Sequence, residues 1–597
     1  AYNSWNRVPN SSSYYLLTEI LRNRWSFQGY VYSDWGAIDM LHTFQHTASS
    51  QTEAAIQAIS AGLDVEASSE CFPHLIAMVK EKKIDEKLID KAVSRVLLAK
   101  FRMGLFEDPY GEKYEAQSLH SRENIRVARQ IADESTVLLK NDKGLLPLNL
   151  SELNSIAVIG PNADQVQFGD YTWSRTNKDG VTPLEGIRKL TEPFGIQIRY
   201  AQGCSMMSLD TIHIASAVEA ARQSDVAILF CGSSSASLAR DYNETNCGEG
   251  FDLADLALTG AQEKLIKAIH ATGKPVILVL VTGKPFSIAW EKKHIPAILI
   301  QWYAGEQEGS SIANILFGKT NPSGHLTVSF PQSSGHLPAY YNHLPTDRGF
   351  YHKPGSYEQP GRDYVFSSPG PLWAFGHGLT YTTFNYTDMQ IQQSVDSIKV
   401  FVTVKNTGRW AGKAVPQLYV RDVFSSISTP VKQLKAFNKV ALEPGETTRV
   451  PLHFAVQDLA LTDEAGKTMV EPGSFEIMIG DASDHILLKQ TISIGQNMAV
   501  SPCSIKEQLP EEIGKGNIIH IKGVVRDVQA TPVDKVEIYS TAQQQVIGVT
   551  DQNGKYFIDA PEDDVLVFCK SGYLDEKVNV DRKNDIQITI RNKMVFP

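Results

Sequence analysis

The sequence predicts a multidomain chain that runs from β/α units through an α/β sandwich and a β-sandwich to a small C-terminal β-sandwich. Three observations predict it. Short apolar strands alternate with helix-spaced apolar residues over the first half of the chain. From about residue 377, apolar residues recur at every second position and Pro-Gly pairs mark turns. The length of 597 residues suits about three to five domains of roughly 100–200 residues each.

The elements follow in order. Residues 1–118 hold two β/α units. Tyr14, Leu16, Leu17, Ile20 and Leu21 have helical spacing, with Gly29 expected to stop that helix. Tyr30-Val31-Tyr32-Ser33 reads as a strand with Asp34-Trp35-Gly36 at its C-terminal end, and Leu63-Asp64-Val65-Glu66 as the next strand. Between them lies a helix through Ala54, Ala55, Ala58 and Ile59 that Gly62 closes. Asp85 is placed as the N-cap of a helix with apolar Leu88, Ala92, Val93, Val96 and Leu97, ended by Gly104. Residues 119–335 alternate again. Ile156–Ile159, Val226–Leu229, Val276–Val281 and Ile298–Ile300 are apolar without alternation, as strands covered on both faces are. Helices Ala215–Ala221 and Gln262–Ile269 lie among them. Residues 336–376, rich in Tyr, Pro, Gly and His, read as an extended linker lying on other domains. In 377–500, Val400, Val402 and Val404 alternate, as do Leu418 and Val420, and Pro444-Gly445 and Pro472-Gly473 mark turns. A polar linker, 501–516, leads to 517–597, where Asp551-Gln552-Asn553-Gly554 joins two strands and Val533, Val536 and Ile538 supply core positions.

Composition narrows the function classes. Apolar residues are 42% and charged residues 21%, ordinary for a globular chain. The net charge of −10 implies no basic face, so nucleic acid is a poor partner. No apolar stretch approaches the roughly 20 residues of a membrane helix. The six cysteines are scattered with no CxxC or zinc spacing. They read as free thiols, mostly buried, with a Cys204–Cys247 bridge as the alternative. Gly160-Pro161-Asn162-Ala163 follows a strand but lacks the G-x-G-x-x-G spacing of a dinucleotide site. No metal and no cofactor is called for.

Two places can carry chemistry. Asp34 stands at the C-terminal end of a parallel strand, where β/α active sites are built, beside the flat face of Trp35. Its alternative role is a helix N-cap or plain loop residue. The segment from Arg240 to Asp252 holds Asp241, Glu244, Glu249 and Asp252 among glycines, in a long loop after a strand. Paired carboxylates on different loops suit glycoside hydrolysis. The alternative is a solvated acidic loop.

A resemblance separates these readings. Gly29-Tyr30-Val31-Tyr32-Ser33-Asp34-Trp35-Gly36-Ala37 resembles the nucleophile signature of glycoside hydrolase family 3, and Ala1-Tyr2-Asn3 resembles a preceding barrel-strand motif of that family. Ser135 to Asn141 with Leu145-Leu146-Pro147-Leu148 resembles the opening of its second domain. Ala304 to Gly309, Asn321 to Gly324 and Val328 to Pro331 resemble the close of that domain. Phe375 to Phe384, Leu434 to Phe437 and Pro444-Gly445-Glu446 are similar to its fibronectin-III-like domain. The similarity runs over about residues 1–495. Beyond it, Gly523 to Asp527, Gly548 to Asp551 and Gly554 to Phe557 resemble a carboxypeptidase-regulatory-like β-sandwich.

The resemblance implies a partial (β/α)8 TIM barrel, an α/β sandwich carrying the acid/base loop, and a fibronectin-III-like domain. It implies a retaining, exo-acting β-glycosidase of the β-glucosidase type, acting on oligosaccharides, with β-xylosidase as the alternative that Leu41-His42-Thr43 and Glu66 favour. Asp34 would be the nucleophile and Glu249 the acid/base, with Glu244 as its rival. Tyr2 and Trp35 would meet the substrate. Retention needs carboxyl groups only about 5–5.5 Å apart, so the second domain's loop is expected over the barrel mouth. Leu253 stands after Asp252 where the family often reads Asp-Arg, which leaves that pair without a carried-over role. Asp64 and Glu66 are expected as structural supports of the rim. Two β/α units do not close an eight-stranded barrel. Ala1 is therefore read as a cut, and an inactive fragment or accessory protein is the reading from a different class. The C-terminal domain and the family's polysaccharide substrates imply a bacterial periplasmic or extracellular setting.

Overall fold

The computed structural model describes residues 2–110, 120–172, 174, 176–235, 244–346, 359, 362, 364–495, 498–499, 518–527, 530–540, 545–561, 564–570, 576–580 and 585–590. Ala1, Arg240 to Asn243, Cys503 and the predicted linker 501–516 lie outside these residues. The chain divides into two units, residues 1–115 with 503–597, and residues 116–502.

In the first unit, strand Tyr32–Trp35 pairs in parallel with Val65–Ala67. Helix Gln51–Ala61 makes the crossover. Ser50 caps its start by accepting from the Glu53 N–H, and Gly62 ends it in the left-handed region at φ 106°. Ala54, Ala55, Ala58 and Ile59 pack with Ile38, Leu41, Leu63 and Leu75, so the predicted helix face is the buried one. Helix Glu86–Arg102 is capped by Asp85 as expected. Only part of its apolar stripe is covered: Ala92 is buried, while Val93 and Leu97 stay exposed.

Two boundaries differ from expectation. The helix Tyr15–Arg24 ends well before Gly29 and is wound wide, the Trp25 N–H bonding the Ile20 carbonyl five residues back at 3.0 Å. The first strand begins two residues later than predicted, so Asp34 and Trp35 lie inside it rather than after it. Long-range bonds set that register: Ala67 N–H donates to Ser33 Oγ at 2.8 Å and Gly36 N–H to the Ala67 carbonyl at 2.8 Å.

The second unit is built on a six-stranded sheet in the order Val137–Asn141, Ala297–Ile300, Val276–Val281, Val226–Gly232, Ser155–Ile159, Gln197–Ala201. The last five are parallel and Val137–Asn141 is an antiparallel edge. Both edge strands escaped the sequence reading. Ala157, Ile159, Leu229, Leu278 and Leu280 face one apolar layer, and Ile156, Val158, Ile228, Ile277 and Val279 the other. This two-sided burial explains the unbroken apolar runs. Helices Ile214–Arg222 and Gln262–His270 occupy the predicted places. The end of the segment read as a linker packs on the sheet: Trp373 is buried against Phe330 and donates from Nε1 to the Leu139 carbonyl at 3.0 Å.

The β-sandwich of this unit pairs Phe384–Gln393, Ser397–Asn406 and Thr447–Ala455 in one sheet, and Gln433–Phe437, Gln417–Asp422, Gly473–Ala482 and His485–Ile494 in another. Ile398, Val400, Val402 and Val404 point into its core with Leu418 and Val420. In 517–597, strands Ile518–Arg526, Lys555–Pro561 and Ile588–Thr589 form one sheet, and Glu537–Ser540, Gln545–Val549, Val565–Cys569 and Glu576–Asn579 the other. Val533, Val536 and Ile538 are in the shared core. The Asp551–Gly554 turn therefore links strands of two sheets, not a hairpin within one. Cys71, Cys204, Cys231, Cys247 and Cys569 are free, so Cys204 and Cys247 form no bridge.

Glu134, at the end of helix Arg122–Ser135, takes Lys413 at 2.5 Å and Lys439 at 3.1 Å, joining the helix to the β-sandwich. Burial raises this carboxyl, but hydrogen bonds from the two ammonium groups outweigh it and hold the group down at about 2. A depressed folded value adds stability above the unfolded carboxylate range that is lost as pH falls through about 2. Glu134→Gln should lower the unfolding free energy on the order of 2 kcal/mol at pH 7. The difference from wild type should shrink steadily below pH of about 4 in denaturant titrations.

Candidate active site

Strand Tyr32–Trp35 presents Asp34 and Trp35 at an exposed surface, with Ser33 buried beneath. Tyr2 meets them from the start of the chain. Its hydroxyl lies 3.0 Å from Asp34 Oδ1 and 2.9 Å from the Trp35 carbonyl. Gln45 Nε2 donates to the Tyr2 carbonyl at 2.7 Å and keeps this segment in place. The Trp35 N–H donates to Asp34 Oδ1 at 2.7 Å. The Trp35 backbone bond first, and the Tyr2 hydroxyl second, hold the Asp34 carboxyl below its ordinary range. Asp34 is therefore biased towards its ionised form, oriented, and open to solvent. Trp35 is 71% exposed, enough to offer a ring face.

Asp64 and Glu66 serve the scaffold. Asp64 is buried, takes Arg22 at 2.6 Å and Arg95 at 2.7 Å, and accepts from the Val31 N–H at 2.8 Å. Three donors on one carboxylate tie the start of the first strand to two helices. Glu66 accepts from the Cys71 and Phe72 N–H groups at 2.8 and 2.9 Å and closes the following turn.

The second unit carries Glu244 and Glu249 on the loop that follows strand Val226–Gly232. They differ sharply. Glu244 is half-buried and its Oε2 accepts from the Met206 N–H at 2.8 Å, which fastens the loop. Glu249 is exposed between Gly248 and Gly250, and its Oε2 accepts from the Tyr171 hydroxyl. Its own N–H donates to Asp170 Oδ2 at 2.8 Å. The loop is anchored upstream by Asn246, which is buried: Oδ1 accepts from Ser234 N–H at 2.9 Å and Nδ2 donates to Thr259 at 2.7 Å. Asp252 is exposed, while Leu253 packs against the apolar layer of the sheet.

Sequence reasoning missed Asp170 and Tyr171. Their signal is weak but present: Gly169-Asp170-Tyr171 lies in the loop after Ser155–Ile159, the strand beside the one that launches the Glu249 loop. Among the described residues no cluster of His, Cys, Asp or Glu could hold a metal ion, and no helix is long and apolar enough to cross a membrane.

Comparison with known proteins follows the same division. Residues 1–99 match the glycosyl hydrolase family 3 N terminal domain, residues 136–381 the glycosyl hydrolase family 3 C-terminal domain, and residues 414–483 a fibronectin type III-like domain. A β-xylosidase of Formosa agariphila is 36% identical, over 83% of this chain and 68% of its own length. A periplasmic β-glucosidase of Salmonella typhimurium is 36% identical, over 81% of this chain and 66% of its own. The crystal structure of a β-glucosidase from Listeria innocua in complex with isofagomine is similar with a TM-score of 0.74 at 33% identity, covering 83% of this chain and 68% of that one. The chain thus spans about two thirds of the length of these relatives.

Tyr2→Phe removes one of the donors to Asp34 without changing the ring. The Asp34 carboxyl should then titrate at higher pH, measured by NMR of its side-chain carbon, while Trp35→Phe should leave it nearly unmoved because the backbone donor persists.

Proposed function

The chain belongs to glycosyl hydrolase family 3, and on that premise we propose that it is a retaining, exo-acting β-glycosidase that releases terminal β-D-glucosyl residues from oligosaccharides. The observation that carries the reading is Asp34: an exposed carboxylate kept ionised by two donors, beside an exposed indole face. A nucleophile needs that protonation state and that access. Glu249 is the acid/base. Its carboxyl is exposed, whereas that of Glu244 is half-buried and accepts a backbone N–H from Met206.

In the first step an Asp34 oxygen attacks the anomeric carbon. The bond to the aglycone oxygen breaks as Glu249 gives that oxygen its proton. In the second, the Glu249 carboxylate takes a proton from water, whose oxygen attacks the same carbon and displaces Asp34. Two inversions leave the β configuration. Trp35 lines the sugar or aglycone side by ring stacking, and Tyr2 orients the nucleophile. No step uses a metal or cofactor.

The name of the Formosa relative favours a second sugar, xylose, on the same machinery. The names of the Salmonella and Listeria relatives favour glucose. The Salmonella name also supports a periplasmic or extracellular setting for this chain.

The full chain should hydrolyse 4-nitrophenyl β-D-glucoside faster than the β-D-xyloside. Asp34→Asn should lower kcat at least about 10⁴-fold, with an unchanged near-ultraviolet circular dichroism spectrum. Faster turnover of the xyloside would transfer the substrate to the second reading. Full activity in Asp34→Asn would remove the nucleophile, and cleavage of neither glycoside would overturn the enzyme reading for this chain.

A further inference from the structure

Asp170 sits where two loops of the second unit meet. One loop follows strand Ser155–Ile159 and the other follows its parallel neighbour Val226–Gly232. The Asp170 carboxylate holds both oxygens in use: Oδ2 accepts the Glu249 N–H at 2.8 Å, and Oδ1 accepts the hydroxyl of buried Ser235. Ser235 is itself bridged to Cys247 at the base of the Glu249 loop. The carboxylate therefore ties Ser235, at the start of the loop, to Glu249 further along it.

The residue before Glu249 confirms how tight this fit is. Gly248 has φ 110°, and a Cβ there would collide with the Asp170 carboxylate. Only glycine lets the backbone come close enough for the Glu249 N–H to reach Oδ2. The next residue of the same gripping loop, Tyr171, adopts φ 56°, an uncommon conformation for an aromatic residue, and its hydroxyl bonds Glu249 Oε2. Asp170 and Tyr171 thus hold Glu249 by its backbone and by its carboxyl.

We propose that Asp170 is a positioning residue for proton transfer: it clamps the Glu249 backbone through the Gly248 gap, so that the Glu249 carboxyl is delivered to the departing glycosidic oxygen. This rests on Glu249 being the acid/base. Asp170 touches no substrate and exchanges no proton. Its effect is geometric, and a misplacement of about 1 Å at a proton donor costs about 100-fold in rate.

Proton donation matters most for poor leaving groups, and that separates positioning from general damage. In the full chain, Asp170→Ala should lower kcat/KM for phenyl β-D-glucoside about 100-fold, and for 2,4-dinitrophenyl β-D-glucoside less than about 5-fold. Asp170→Asn should recover most of the loss. The asparagine oxygen can accept the Glu249 N–H while its amide donates to Ser235 Oγ. Hydrogen exchange at the Glu249 amide should be slowed in wild type and fast in Asp170→Ala, with the Val226–Gly232 amides equally protected in both. Equal losses on the two glucosides, or an unchanged Glu249 amide, would overturn the clamp. Glu249→Ala distinguishes the underlying reading: it should show the same leaving-group dependence, more steeply, with azide restoring turnover of the dinitrophenyl substrate. If Glu249→Ala lacks that dependence, Glu249 is not the acid/base, and the clamp falls with it.

Discussion

Two parallel strands, Ser155–Ile159 and Val226–Gly232, lie side by side in the middle of a sheet that is buried on both faces. That adjacency is the constraint on which the second unit's chemistry depends. Each strand ends in a loop, and the closeness of the strands dictates that the loops touch. At Gly160 the backbone turns at φ 120° against the Phe230 carbonyl, a position with no room for a side chain. Asn162 then bonds from its N–H to that same carbonyl at 3.2 Å. From this pinned start the first loop travels to Gly169, Asp170 and Tyr171. The second loop brings Gly248 and Glu249 to meet them.

The two carboxylates proposed for catalysis are held by opposite means. Asp34 belongs to a strand and is aimed by the strand's own backbone, with Tyr2 adding a second donor. A strand residue tied in this way is oriented, and its carboxyl is held below its ordinary range, which suits the proposed nucleophile. Glu249 belongs to a glycine-flanked loop, and its position comes from groups on another loop. A proton donor and acceptor has to serve two different oxygens in turn, first the leaving group and then water. The exposed carboxyl of Glu249 suits that proposed role, while Glu244 is half-buried and accepts the Met206 N–H. The scaffold carboxylates show the contrast again: Asp64 is buried under two arginines and a backbone N–H and has no lone pair directed at solvent-borne chemistry.

Much of this was readable from the residues. Unbroken apolar runs such as Val276–Val281 marked strands covered on both faces, and the alternation at Val400, Val402 and Val404 marked a one-sided sheet, because burial dictates those patterns directly. Asp34 stood out by its place near the end of a parallel strand. Other features depend on partners far away in the chain. The start of the first strand was misplaced because its register comes from Ala67 bonding Ser33, across more than thirty residues. The edge strand Val137–Asn141 pairs antiparallel with Ala297–Ile300, which no local pattern announces. The Asp551–Gly554 turn carries a hairpin's residues, yet the strands it joins enter different sheets. Asp170 and Tyr171 went unseen because their meaning lies only in what the neighbouring loop brings to them.

The proposed mechanism requires a covalent intermediate at Asp34, and trapping it is the most direct measurement. A 2-deoxy-2-fluoro-β-D-glucoside with a dinitrophenolate leaving group slows the second step more than the first, because fluorine destabilises positive charge at the anomeric carbon. Incubating the full chain with it, then digesting and weighing the peptides, should place one fluoroglucosyl group on the peptide that contains Asp34, with activity lost in step. A label on another carboxylate, or turnover with inversion and no label at all, would contradict the account.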